Sequence, residues 1–470
     1  MRISDLNPNS SEPIYRQIYR RLREAIASGL LTPGDRVPAA RSLAKELGLA
    51  RSTVDSAYSL LTSQGYLQAR GQAGTFVATG VNAQPAAAPA STPRTAPAGA
   101  ATAPAILPFQ MGLSALDAFP RKKWAQIGAR CVRSTRPQDM AIPPTHGLES
   151  LRSALATYLQ VARGIHCSPD QVFITSGYRD TLALIAHALL KPGDRVLVED
   201  PGYPSTRQLL EHLNIHPVAL AVDQDGMRVS EGLSDAIDAR AAVVTPAHQS
   251  PLCVALSLPR RLELLAWANR QQAWVVEDDY DGEYRYVSRP LPALKSLDRN
   301  GRVLYSGTFS KVLFAGLRLA YLVVPAAQVE GFERASQTFQ SGCPHLTQAI
   351  VAAFMNEGHF ARHIQRMRKL YAERRTFTIN GLNKVLGSHI HIDANPGGMH
   401  LIVRLSDRQP DRQLVQRMRQ AGLFAEALSD WYVQGEAPSA LLLGFANIDS
   451  QASAEALGTR LLALMQTREP

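Results

Sequence analysis

The run Tyr305-Ser306-Gly307-Thr308-Phe309-Ser310-Lys311 decides how this chain is read. Val303, Leu304 and Tyr305 form a short apolar, β-prone run, and Ser306-Gly307-Thr308 is expected to break it. Lys311 follows on a polar turn, and a second apolar run, Leu317 to Pro325, is interrupted only by Arg318. A lysine just past a buried strand, in a hydroxyl-rich turn, is desolvated enough to act as an amine nucleophile. An arbitrary Ser-Lys pair is ordinarily a solvated loop, because lysine is rarely buried. The flanking chain gives this one another meaning.

On either side, short β-rich runs alternate with helical ones. The β-rich runs are Val172 to Thr175, Arg195 to Glu199, Ala241 to Thr245, Ala273 to Glu277, Val303 to Tyr305 and Leu319 to Val324. Helical stretches such as Thr181 to Leu190 and Pro259 to Arg270 lie between them. The alternation predicts an α/β fold, a mostly parallel sheet with helices on both faces. From Phe360 onward, long helices mix with alternating runs at His389 to Ile392 and His400 to Val403, the pattern of a smaller α+β subdomain.

Ligands of open α/β sheets bind beyond the C-terminal ends of the strands. Those ends carry Ser176-Gly177-Tyr178-Arg179 at a helix start, Tyr203 on the turn Glu199 to Pro204, His248-Gln249, Asp278-Asp279-Tyr280-Asp281, and Lys311 with Arg318. A helix N-terminus suits a phosphate. Together with a stacking ring, a carboxylate, a phenol, an amine and a second cation, it meets the needs of pyridoxal 5'-phosphate. Each feature alone is ordinary: an Asp-Asp pair is usually a solvated turn and a tyrosine usually core. Their convergence at strand ends is what points to a cofactor.

The first 78 residues read differently. Ile14, Ile18, Leu22 and Ile26 recur at helical spacing, and Gly29 ends the helix. A second helix is expected from about Ala39 to Leu47 and a third from Arg51 to Gln64. Ala44 and Gly48 allow the close crossing and tight turn of a helix-turn-helix. Tyr66 to Arg70 and Thr75 to Ala78 then flank Gly71-Gln72-Ala73-Gly74 as a hairpin wing. Arg41, Arg51, Ser52, Thr53, Arg70 and Gly74 are the candidate contacts to double-stranded DNA. The bland alternative is a small helical dimerisation module with a solvated basic face.

Composition sets outer bounds. At 470 residues, two or three domains are expected. Apolar content is 45% and charged content 19%, ordinary for a globular protein. Net charge is +10, which permits a nucleic-acid partner without proving one. The four cysteines, Cys131, Cys167, Cys253 and Cys343, show no metal spacing and fit reduced thiols, so no metal is expected. No run spans a bilayer, and Met1-Arg2-Ile3-Ser4-Asp5 lacks the apolar core of a signal peptide, so no membrane association and a cytoplasmic location are expected. Alanine, proline and threonine dominate from Gln84 to Pro108, as in an extended linker. The expected division is a reader at 1–78, a linker at 79–107 and a large domain at 108–470.

The first segment resembles the winged helix-turn-helix of the GntR regulators, through Pro13-Ile14-Tyr15-Arg16-Gln17-Ile18, Gly29 to Ala44, Arg51-Ser52-Thr53-Val54 and Gly74-Thr75-Phe76-Val77. Ala39-Ala40 departs from it, because serines are common there. Residues 108–470 resemble the fold-type I aminotransferases through Thr175-Ser176-Gly177, Glu199 to Tyr203, Glu277-Asp278-Asp279-Tyr280 and Ser306 to Lys311, with Gly397-Gly398-Met399-His400 and Leu443-Gly444-Phe445-Ala446 later. The combination is similar to the MocR/GabR group, in which a GntR-type reader is fused to an aminotransferase-like domain.

The resemblance implies Lys311 as the Schiff-base lysine, Asp278 toward the pyridine nitrogen, Tyr280 toward O3' and Tyr203 stacked on the ring. It implies Ser176, Gly177, Ser310 and Arg318 around the phosphate, with Tyr178 beside that cup, and His248 and Gln249 as further contacts. It also implies a head-to-tail homodimer. Three departures bear on function. Ile142 to Gly147 replaces a segment that commonly carries a phosphate-binding tyrosine. Pro251-Leu252-Cys253 replaces Pro-Thr-Gly. Leu442 stands where aminotransferases carry the arginine that clamps a substrate carboxylate, leaving Arg207 and Arg404 as candidate substitutes. Losing a bidentate clamp costs orientation as well as affinity. The expected function is therefore a transcription regulator that senses pyridoxal 5'-phosphate, an amine or an amino acid. A working aminotransferase with a fused reader and a non-catalytic repressor are the alternatives.

Overall fold

The computed structural model describes residues 6–7, 10, 12–80, 106–232, 238–286, 292–394, 397–406 and 410–466. The chain forms two compact units, Met1–Pro104 and Ala105–Pro470. Most of the expected linker, residues 81–105, lies outside the described residues. No helix among the described residues is long and apolar enough to cross a membrane.

In the first unit, helix Ile14–Ala27 turns Ile18, Leu22 and Ile26 inward against Val54, Ala57 and Leu61 of helix Arg51–Ser63. Helix Ala40–Leu47 lies between them in sequence and ends on Gly48, whose φ of 66° is left-handed. Leu49 N–H then donates to Ala44 O at 2.9 Å, closing the turn between the second and third helices. Leu67–Ala69 pairs antiparallel with Thr75–Val77, Leu67 facing Val77. The second helix starts one residue later than expected and the wing strands are shorter, as is usual at element ends.

The second unit is built on an eight-stranded sheet. Its spatial order is Val172–Thr175, Ala320–Val323, Val303–Thr308, Trp274–Asp279, Ala239–Val244, Arg195–Asp200, His216–Asp223 and Gly226–Met227. Ala320–Val323 runs antiparallel to both neighbours and Gly226–Met227 antiparallel to its one; the remaining pairs are parallel. Helix Tyr178–Leu189 starts three residues before the expected Thr181, so its N-terminus abuts Ser176-Gly177. A four-stranded antiparallel sheet, Ile390–Ile392, His400–Leu405, Ala440–Gly444 and Glu426–Ala427, forms the smaller part with the long helix His359–Leu386.

Two expectations are corrected. His216–Asp223 is a strand that the sequence reading left out, although Val218 to Val222 is a continuous apolar run; most of its residues stay partly exposed near the edge of the sheet. Ser306-Gly307-Thr308 does not break its strand: pairing continues through Gly307, opposite Asp279 on one side and Tyr321 on the other. Glycine is required there because an added Cβ would overlap the Tyr321 ring. Lys311 accordingly sits not on an open turn but in the short helix Phe309–Val312. Backbone pairing on both sides prevents the strand from moving away, so Gly307→Ala should destabilise the large unit by about 1–3 kcal/mol. A thermal unfolding scan should show its transition lowered while the small unit's helical signal is unchanged.

Candidate cofactor and DNA-binding sites

Thr308 caps the short helix by accepting from Ser310 N–H at 3.1 Å, which fixes the turn carrying Lys311. Lys311 Nζ donates to Gly112 O at 2.9 Å. A Cβ on Gly112 would lie 2.6 Å from Nζ, so the chain can cross the amine this closely only with glycine. Ser114 Oγ donates to Leu313 O at 2.7 Å and ties the same strap to the lysine turn. Burial lowers the Lys311 ammonium from its usual range, and Asp281, Asp278 and Glu426 oppose that. Burial outweighs the carboxylates, so the amine gives up its proton more readily than a solvated lysine does.

Alternation along Trp274–Asp279 separates the two aspartates. Asp279 meets the buried Arg163 and accepts from Tyr305 OH at 2.6 Å, so it belongs to the structural network under the sheet. Asp278 lines a cleft with Tyr178, Glu199, Tyr203, Arg207 and Trp431. Burial first, then Asp279, Glu199 and Asp281, push its carboxyl well above the ordinary range, with Lys311 acting the other way. A buried carboxyl crowded by other carboxyls is suited to a cationic partner such as a protonated pyridine nitrogen. Tyr203 caps helix Pro204–His212 and sets its ring 5.8 Å from Trp431 and 5.9 Å from Tyr178.

Tyr280 OH lies 3.1 Å from His248 Nδ1, which also faces Asp281 Oδ1 at 3.0 Å. Burial works against a charged His248, but Asp281 holds it protonated well above its usual range. Burial and Asp281 push the Tyr280 phenol upward, while a hydrogen bond with Ser250 opposes them. Gln249 is structural: its amide donates to Pro201 O at 2.8 Å.

Ala320 pairs with both Thr175 and Thr308, which brings Arg318, Ser176 and the lysine turn to one edge of the sheet. Gly177, with φ 135°, precedes helix Tyr178–Leu189, and Arg318 Nη2 lies 3.0 Å from where its Cβ would stand. Ser176 N and Oγ both donate to Asp180 Oδ2, at 2.8 and 2.9 Å. A guanidinium set against the positive end of a helix is unfavourable unless an anion joins them. The residues present therefore fit both ends of pyridoxal 5'-phosphate, with a carboxyl at Asp278 and an anion cup at Gly177 and Arg318, where a phosphate would share the Ser176 donors with Asp180.

Of the two candidate clamps, only Arg207 lines the cleft; Arg404 is held by Asp393 with contacts of 2.8, 3.1 and 2.8 Å. Leu442 is fully buried with Cys253, Ile402, Leu428 and Trp431. Gly112, Ser250, Glu426, Trp431 and Cys253 were not singled out as site residues. Ser250, beside the His248-Gln249 pair, and Cys253, in the run that departs from Pro-Thr-Gly, carried a local signal; the other three did not.

In the small unit, Ala39 and Ala50 precede the second and third helices and offer no side-chain cap. Arg41, Arg51 and Ser52 are exposed at those helix starts, with Thr53 half-buried, and Arg51 pairs loosely with Asp55 at 3.2 Å. Arg70 lies over the Phe76 ring at 5.0 Å. Arg36 crosses Gly74, where a Cβ would stand 2.8 Å from its Nε.

Residues 14–77 match the bacterial regulatory proteins of the gntR family, and residues 111–459 match aminotransferase class I and II. The probable rhizopine catabolism regulatory protein MocR of Rhizobium meliloti is 34% identical, covering 97% of this chain and 94% of that protein. This chain belongs to the MocR/GabR group of GntR-type regulators. The pyridoxine biosynthesis regulator PdxR of Corynebacterium glutamicum is 32% identical over 94% of each chain. Pyrococcus horikoshii kynurenine aminotransferase is 27% identical, with a TM-score of 0.69 over 77% of this chain and 91% of that one. The MocR-type chain is a DNA-binding transcriptional regulator that depends on pyridoxal 5'-phosphate.

His363 links the long helix to the lysine turn, its Nε2 donating to Val312 O at 3.0 Å. Burial lowers its pKa to about 4, so it is neutral when folded. The unfolded chain takes up that proton near pH 6.5, and stability should fall as pH drops from there toward 4. Thermal midpoints across that window should fall more steeply for the wild type than for His363→Gln.

Proposed function

We propose that the large unit is the sensor of the regulator and that an amine, an amino acid or pyridoxal 5'-phosphate itself is the effector. When bound, the cofactor supplies an aldehyde for amines and an electron-withdrawing ring. Lys311 is its attachment point, and Asp278 holds a proton at the pyridine nitrogen. Tyr280, with Ser250 beside it, orients the ring oxygen, and Tyr203 covers one ring face. Ser176, Gly177, Ser310 and Arg318 receive the phosphate, with Tyr178 packed alongside. Arg207, which pairs with Glu211 at 3.5 Å on its own helix, is the cleft cation that an effector carboxylate would engage.

The observation carrying this reading is the apolar burial of Leu442 beside an otherwise complete set of cofactor groups. The lysine, carboxyl and phenol support reversible capture of an amine. An apolar residue at the clamp position removes the orientation that fast turnover requires. Residues 79–107 are the linker through which the sensor acts on a reader at 1–78. The strongly exposed Met140 and Ile142, at 76% and 91%, support a partner subunit over the segment that differs from the aminotransferase pattern, in keeping with a head-to-tail dimer. Such a dimer presents two readers to a paired operator, through Arg41, Arg51, Ser52, Thr53, Arg70 and Gly74.

Three experiments test this. The purified protein given pyridoxal 5'-phosphate should show the visible absorption of a lysine-bound cofactor, and Lys311→Ala should not; no band in the wild type refutes the cofactor role. Release of keto acids from candidate amino acids at ordinary enzyme rates would favour an aminotransferase instead. Arg51→Ala should weaken binding to the protein's own promoter region and reduce the slope of log K against log salt by about 1. Unchanged binding in a mobility-shift titration would remove Arg51 from the interface.

A further inference from the structure

Cys253 occupies a position that its backbone conformation assigns to glycine. Its φ is 60°, in the left-handed region, on a tight turn closed by Cys253 N to Gln249 O and Gln249 N to Val254 O, both 2.7 Å. A side chain held there against its preference invites a functional explanation. The sulfur sits in a polar cluster drawn from distant parts of the chain. Cys253 Sγ is 3.4 Å from His400 Nε2, which also lies 2.9 Å from Pro251 O. Because that carbonyl can only accept, Nε2 carries a proton and can share it with the sulfur. His248 also lowers the affinity of the same sulfur for a proton. Its Nδ1 is engaged by Asp281 and Tyr280, while its Nε2 is buried with no hydrogen-bond partner among the described residues.

From this geometry we infer that Cys253 is a modification site, a thiol oxidised by small hydroperoxides to the sulfenic acid. The thiolate sulfur attacks the terminal peroxide oxygen and the O–O bond breaks. The departing alkoxide, or hydroxide, takes the proton of the His248 imidazolium and leaves as alcohol or water. The new S–OH then donates to the neutral Nε2, supplying the partner that atom lacks. A low-molecular-weight thiol reverses the change, two thiols giving a disulfide, water and the restored Cys253.

The other cysteines provide internal controls. Burial raises Cys131 and Cys167 above the usual thiol range and takes Cys343 to about 12. Burial works against ionisation of Cys253 too, yet His400 and His248 bring it down to about 6. Arg375 is a further cation whose charge is felt at this sulfur. At 2% exposure Cys253 admits only a reagent close to water in size. The site is one side chain from Tyr280, so an added oxygen would perturb the pocket next to the cofactor.

The test uses full-length protein loaded with pyridoxal 5'-phosphate and exposed to graded hydrogen peroxide. It is then denatured in dimedone, digested and mapped by mass spectrometry. Cys253 should be converted at least about tenfold faster than Cys131, Cys167 and Cys343. Its rate should fall as pH drops through about 6, and His400→Gln should move that midpoint upward. Cys253→Gly, which suits the left-handed turn, should keep cofactor and DNA binding and lose the fast adduct. Equal conversion of all four cysteines, or an unmodified Cys253 at saturating peroxide, overturns the inference. The wild-type map alone is decisive if a variant fails to fold.

Discussion

Desolvation of one amine is the constraint on which the large unit depends. Lys311 is buried against the Gly112 carbonyl, and the carboxylates of Asp281, Asp278 and Glu426 keep the cost of that burial bearable. Neither side is comfortable alone: the ammonium has lost water, and the carboxyls repel one another. The arrangement is consistent with a site whose electrostatics are completed by a bound cationic ring and an anionic tail. At Gly112 and Gly177 the backbone passes close to a charged side chain of the site, and in each case a Cβ would crowd it.

The sheet supplies the geometry. The antiparallel strand Ala320–Val323, inserted between Val172–Thr175 and Val303–Thr308, returns Arg318 to the edge where the lysine turn and a helix N-terminus already meet. Strand alternation sends Asp279 into the Arg163–Tyr305 network and leaves Asp278 at the cleft. The small antiparallel sheet adds Glu426 and Leu442, which face each other across paired strands. One sheet brings the cofactor groups together; the other decides what else can share the cleft, and it offers an apolar residue where a transaminase needs a cation.

Much of this was legible in the chain because the decisive signals are local. The four-residue spacing of Ile14, Ile18, Leu22 and Ile26, and Gly48 after Ala44, specify the reader through helix period and turn chemistry. Val172–Thr175 and its successors are buried on both faces and read as continuous apolar runs. Partly exposed His216–Asp223 carries such a run in Val218 to Val222 and was passed over, its alanines and its proline being weak strand signals, and Gly307 looks like a strand breaker until Tyr321, fourteen positions on, is seen to need the space.

By itself the sequence carried the alternating α/β order and the helix period of the reader, and it named the lysine, the aspartate pair and the tyrosines as candidates, since period, composition and short motifs are properties of neighbouring residues. Only the tertiary structure decided which aspartate faces the cleft, that Arg207 reaches it while Arg404 is held by Asp393, and that Gly112 covers the lysine. It alone joined Cys253 to His400, 147 residues away. The physical reason is the same in each case. Burial and electrostatic partnership depend on distances between segments that no local pattern encodes, and here those distances are set by strand pairing.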